Sequence, residues 1–151
     1  MACSRSSLDG PDLHFALAVR QIEPTRHLHV PQSVVLDNPQ LSTDTTFVAA
    51  IAHSASQGRL TGEGIRAALY ALYVHYLGGI ELGLYGLEAS SAADADRLEV
   101  ALRRIWAHNA GLGRARVHRG GRVLVVAWHD CVPASCWEAA NAAVAAHLPN
   151  R

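Results

Sequence analysis

Residues 91–109 constrain this chain more than any other stretch, because they read as a helix on several independent counts. Ser91 precedes Asp94 by three residues, a capping-box arrangement with aspartate in place of the usual glutamate. Leu98, Ala101, Leu102, Ile105 and Trp106 then recur at i, i+3, i+4, i+7 and i+8, one full helical face. Glu99 and Arg103 form an i,i+4 pair on the opposite side, and Gly111 and Gly113 end the element.

A hairpin is expected directly after it. Gly120-Gly121 is a two-residue turn signal, and with those glycines as the turn Arg119 faces Arg122, Val117 faces Leu124 and Ala115 faces Val126. Alternation then assigns two faces. Ala115, Val117, Leu124, Val126 and Trp128 make an apolar core face, while Arg114, Arg116 and His118 share the other with Val123, Val125, Ala127 and His129. A strand face that mixes valine with arginine is unusual for plain solvent exposure and reads as a surface made to meet something.

The remaining elements follow from period and punctuation. Residues 1–12 are polar and expected to be a flexible tail, so the folded unit is one domain spanning 13–151. Leu13, Phe15, Leu17 and Val19 alternate as a strand does, and Ser33 to Leu36 is a second short candidate strand before the turn signal Asp37-Asn38-Pro39. Ser42 is the expected cap of a helix with the face Phe47, Ala50, Ile51 and Ala55, ending at Gly58.

A second helix is expected from Thr61, carrying Ile65, Leu69, Leu72, Tyr73 and Tyr76 to the stop at Gly78-Gly79. Its run from Ala67 to Ile80 is uncharged but shorter than a membrane span. Ile80, Leu82 and Leu84 start a strand in which Gly86 suggests a bulge. Pro133 opens a last helix with the face Trp137, Ala140, Val144 and Leu148. The expectation is an α+β fold, a single layer of mixed or antiparallel sheet packed with helices, in the order β-β-α-α-β-α-β-β-α. Its back half, β-α-β-β-α, is similar in element order to several small α+β families, type III secretion chaperones among them, with no motif in common.

Charge is distributed unevenly beneath a formal total of zero. Residues 97–122 hold seven arginines and one acid, Glu99, whereas residues 1–96 hold five arginines and ten acids. All 13 basic residues are arginine, a usage that also fits GC-rich coding. The hairpin arginines, Arg114, Arg116, Arg119 and Arg122 with His118, are therefore the expected binding residues. They fit a second copy of the chain or an acidic protein partner; the neutral total and the lack of interleaved aromatics argue against nucleic acid. The bland alternative pairs them within the chain, with Glu81, Glu88 or Glu99.

Signatures of catalysis are missing. The chain has no lysine, which removes any phosphate-binding loop of the usual kind, and it lacks HExxH, GxSxG and CxxC. The candidates for chemistry are Cys131 with His129 as base, at a strand-to-helix junction, or His129, Cys131 and Cys136 as metal ligands short of a fourth. No catalytic residue, metal site or cofactor is assigned. Tyr70, Tyr73 and Tyr76, with His75 nearby, are a candidate pocket lining, or alternatively the edge of a core. The third cysteine is Cys3, so no disulfide framework can be drawn, and a reducing cytoplasm is the expected compartment. The expected function is a non-catalytic, self-associating interaction module, with a small ligand-binding domain or a thiol enzyme as the alternative.

Overall fold

The computed structural model describes residues 28–29, 38–75, 80–108 and 115–148. The elements in order are β1 (Leu28–His29), β2 (Gln40–Ser42), α1 (Thr45–Ala55), β3 (Ile65–His75), β4 (Ile80–Ala89), α2 (Ala92–Ala107), β5 (Ala115–Gly120), β6 (Val123–His129) and α3 (Ala134–His147). The expected tail at 1–12, the strands at 13–19 and 33–36, and Tyr76, Gly78, Gly79, Gly111, Gly113 and Arg114 lie outside the described residues.

The α+β class and the antiparallel sheet are as the sequence implies. All six strands form one sheet in the order β1-β3-β4-β6-β5, with β2 also paired to β3, and every pairing is antiparallel. One element differs from expectation. The segment from Ile65 to His75, expected as a helix, is the long strand β3. Its residues are apolar at nearly every position because both faces of this sheet are covered, and a strand buried on both sides has no alternation for period two to reveal.

Two cores result. On one face α1 and α2 bury Val48, Ile51, Ala52, Leu98 and Leu102 against Ala68, Leu87, Val117, Leu124 and Val126. On the other, α3 buries Cys136, Ala140 and Val144 against Leu69, Leu82, Leu84, Val123 and Val125. Strand β6 lies between β4 and β5 and sends alternate residues into each core. Burying each such leucine or valine contributes about 1.5–3 kcal/mol.

Local chemistry sets the ends. Ser91 accepts a hydrogen bond from the Asp94 N–H at 3.0 Å, and its hydroxyl donates to Asp94 Oδ2 at 2.8 Å, so the expected cap forms. The cap of α1 is Asp44, which accepts from the Phe47 N–H at 3.0 Å; Ser42, the expected cap, stands two residues earlier and accepts from the Asp44 N–H. At the C-terminus of α1 the buried Ser56 hydroxyl donates to the Ala52 carbonyl at 2.7 Å and accepts from the Leu60 N–H at 2.7 Å. The Trp106 indole of α2 donates to the Ala55 carbonyl at 2.9 Å, joining the two helices of one face.

The register also departs from expectation. The hairpin turn is Gly121-Arg122, so Val117 faces Val126 and Ala115 faces Trp128. Gly121 has φ +58°, and positive φ at the first central residue alone is the pattern of a type II′ turn. The partners slip by two residues, an even number, so the two faces read from the sequence are preserved. β4 runs in register through Gly86; the irregularity lies instead between Ile65 and Ala67. No described helix is long and apolar enough to cross a membrane.

Candidate functional site

Of the expected binding residues, Arg114 lies outside the described ones, and the β5–β6 hairpin gives Arg116, His118, Arg119 and Arg122 their positions. Alternation along β5 sends Arg116 and His118 toward α3 and Arg119 toward α2. Arg116 makes a two-pronged contact with Glu138, Nη2 to Oε1 at 3.1 Å and Nη1 to Oε2 at 3.2 Å, with Cζ 5.5 Å from the centre of the Trp137 ring. That guanidinium holds the Glu138 carboxyl below its usual range. The pair is exposed, so its contribution to stability is small.

His118 is half-buried, and its Nε2 lies 2.7 Å from Asn141 Oδ1. The amide of Asn141 donates to the Trp137 carbonyl at 2.8 Å, which fixes Oδ1 as the acceptor and Nε2 as the protonated ring nitrogen. Burial, with the charges of Arg116 and Arg103 added to it, pushes the imidazole pKa down and favours the neutral ring.

Arg119 is the most enclosed of the set, its side chain 13% exposed. Its Nη1 bridges Asp96 at 2.5 Å and Glu99 at 2.8 Å on α2, and its Nε donates to the Gly121 carbonyl at 2.9 Å. Glu99 also takes Arg103, Nε to Oε1 at 3.1 Å, and Arg119 first among these contacts lowers the Glu99 carboxyl below its ordinary value. Arg122 reaches the Ser90 carbonyl, at 3.4 Å. Of the acids expected to pair with the hairpin, Glu99 does so, whereas Glu88 is bound to Arg66 at 3.1 Å.

The apolar half of the arginine-valine face meets α3. Val123, Val125 and Ala127 are buried beneath it, and the His129 ring lies 4.4 Å from Trp137. What stays open is the outer edge of β5. It is the terminal strand, and no described strand pairs with its far side. Since Val123, Val125 and Ala127 direct their backbone groups toward Gly120, His118 and Arg116, those of Ala115, Val117 and Arg119 point away from the sheet. One of these outward groups is engaged from α2, the Val117 carbonyl, which accepts from Arg103 Nη1 at 3.1 Å. Beyond the Glu99–Arg103 spacing, no pattern in the residues signals that contact. Asn141, a lone amide on an alanine-rich helical face, was the available signal that α3 covers the hairpin.

The other candidates separate. Cys136 is buried in the core under α3, while Cys131 is exposed in the loop before it with φ +53°. Among the described residues no three His, Cys, Asp or Glu side chains are gathered to hold a metal ion. Tyr70 and Tyr73 fall on opposite faces because β3 is a strand. Tyr73 enters the core under α3, whereas Tyr70 stacks on Tyr85 at 5.7 Å and Tyr85 on Trp128 at 6.0 Å. Burial first, then the neighbouring Tyr70 and Glu81, push the Tyr85 hydroxyl up to about 12. His75 is the last residue of β3.

No protein family, curated protein or solved structure matches this chain, so the reading of the site rests on its own geometry.

Proposed function

We propose that this chain is a non-catalytic interaction module that self-associates through the outer edge of β5. The observation that supports the reading is the row of outward backbone groups at Ala115, Val117 and Arg119 on a terminal strand that no described strand covers. A free edge of this kind is a template for pairing with another chain. A twofold dimer pairs the same strand with itself in antiparallel sense, Val117 opposite the partner's Val117 and Ala115 opposite the partner's Arg119.

The flanks suit a like partner. Along the edge-facing side of α2, Asp96 and Glu99 precede Arg103, so a second α2 running the opposite way sets acid against base. The edge is also short and arginine-bearing, which resists indiscriminate pairing and leaves specificity to a complementary surface.

Sedimentation equilibrium across a concentration series, on the wild type and on Ala115→Pro, tests this. Proline at 115 removes an outward N–H only, at the first residue of an edge strand, where it is tolerated. The expected result is a concentration-dependent dimer that becomes monomeric in the variant with its melting temperature retained. A wild-type chain and an Arg103→Met chain, which frees the Val117 carbonyl from Arg103, that both stay monomeric up to the solubility limit would overturn the proposal. A monomer that instead binds an acidic peptide through Arg116 and Arg122 would move the reading to an acidic partner.

A further inference from the structure

Among the described residues, the outward carbonyl that is already engaged, that of Val117, sits at the centre of the β5 edge. Arg103 reaches it from α2 with Nη1, while its Nε and Nη2 hold Glu99 at 3.1 and 3.0 Å. Glu99 is in turn held by Arg119 of β5 itself, so the guanidinium is anchored on two sides before it crosses the edge. A strand added to β5 needs the Val117 carbonyl for its own N–H, and Arg103 Nη1, 3.1 Å from that outward oxygen, takes one of its two lone pairs and stands in the path of the incoming strand.

We infer that Arg103 is a latch on the edge: docked, it keeps β5 closed to pairing, and it must swing away for a second copy to add its strand. This rests on the self-association proposed above and assigns its control to one residue. The Arg103 side chain is half exposed, so it can leave for solvent without opening a core. Once released, it faces the partner's Glu99 in the antiparallel arrangement of the two α2 helices, and the internal ion pair becomes one between copies.

The latch predicts a direction that a merely supporting ion pair does not. Removing Arg103 takes away a competitor for Val117 and strengthens association. A charge-assisted hydrogen bond, discounted for its exposure, is worth about tenfold in an equilibrium. A twofold dimer releases one latch from each copy, so Arg103→Met is expected to tighten the dimer by about a hundredfold. Methionine keeps the apolar stem over β5 and removes only the guanidinium. Glu99→Gln, which leaves Arg103 in place but frees one anchor, is expected to move association the same way by a smaller factor.

Sedimentation equilibrium on wild type, Arg103→Met, Glu99→Gln and Arg103→Met/Ala115→Pro, with circular dichroism to establish that each is folded, tests the latch. Tighter association in Arg103→Met that Ala115→Pro abolishes is the expected result. It supports the latch whether the wild type is a weak dimer or a monomer. If the wild type dimerises and Ala115→Pro dissociates it, but Arg103→Met associates no more tightly, the latch is wrong and self-association stands. If wild type and Arg103→Met are both monomeric throughout, edge pairing itself falls and the latch with it.

Discussion

Replacing Gly83 with alanine is expected to destabilise the protein through a single ring. Gly83 lies opposite Trp128 in the β4–β6 ladder, and a Cβ built on it meets the indole at 2.2 Å from Cε2, 2.3 Å from Nε1 and 2.4 Å from Cζ2. Ordinary carbon contacts are about 3.5–4.0 Å, so the ring must retreat by more than about 1 Å. It has little room, since Trp128 stacks on Tyr85 and Tyr85 on Tyr70.

Overpacking of this kind costs about 1–3 kcal/mol. Against it stands a gain of about 0.5–1 kcal/mol for replacing glycine inside a strand. The net loss is about 1–2 kcal/mol, a fall of roughly 3–6 °C in melting temperature for a chain of this size. The assay is thermal and urea unfolding of a double-mutant cycle with Trp128→Leu. With the indole gone the sign reverses, and Gly83→Ala stabilises by about 0.5 kcal/mol. An equal cost in both backgrounds, or no cost in the wild type, would refute the reasoning.

Two further outcomes follow from groups in the fold. His118 has a pKa below the ordinary 6.5, so between its folded pKa and 6.5 the unfolded chain binds more protons and stability rises with pH. The contribution is complete above about 6.5 and is lost as pH falls toward the folded value. Urea unfolding from pH 5 to 8 is expected to show a flatter profile for His118→Gln than for wild type, and parallel profiles would exclude His118 as the source. Ser56→Ala leaves the Leu60 and Arg59 N–H groups without their acceptor and is expected to cost about 1–3 kcal/mol. Ser54→Ala, on the exposed side of the same helix, should stay within about 0.5 kcal/mol; equal losses by denaturant titration would remove the hydroxyl from the account.

The parts of the fold that were legible are those with one wet side. The α2 face, its Ser91 cap and the two faces of the hairpin could be read because charged residues marked the solvent boundary. β3 could not. Ile65, Leu69, Leu72 and Tyr73 satisfy a helical spacing, yet Ala67, Ala68, Leu69, Ala71, Leu72 and Tyr73 are all buried, and a uniformly apolar run fits any period drawn through it. For the hairpin, the mixture of valine and arginine announced a covered face but not its cover. That α3 lies over Val123 and Val125 shows only in Glu138 and Asn141 meeting Arg116 and His118, a match between residues more than twenty positions apart. The free edge was invisible for the same reason, because strand order is a property of the whole sheet.

The division of β6 between two cores has a consequence for how the chain is made. Of the described elements α3 leaves the ribosome last, after every strand whose apolar side it covers. Until α3 docks, Leu69, Leu82, Leu84, Val123 and Val125 have no cover from it on that side of the sheet. During that interval the nascent chain carries a broad sticky surface, the kind that draws chaperones or neighbouring chains. A stop codon or proteolytic cut before Ala134 would make the interval permanent. The shortened product is expected to be an aggregate rather than a smaller working domain.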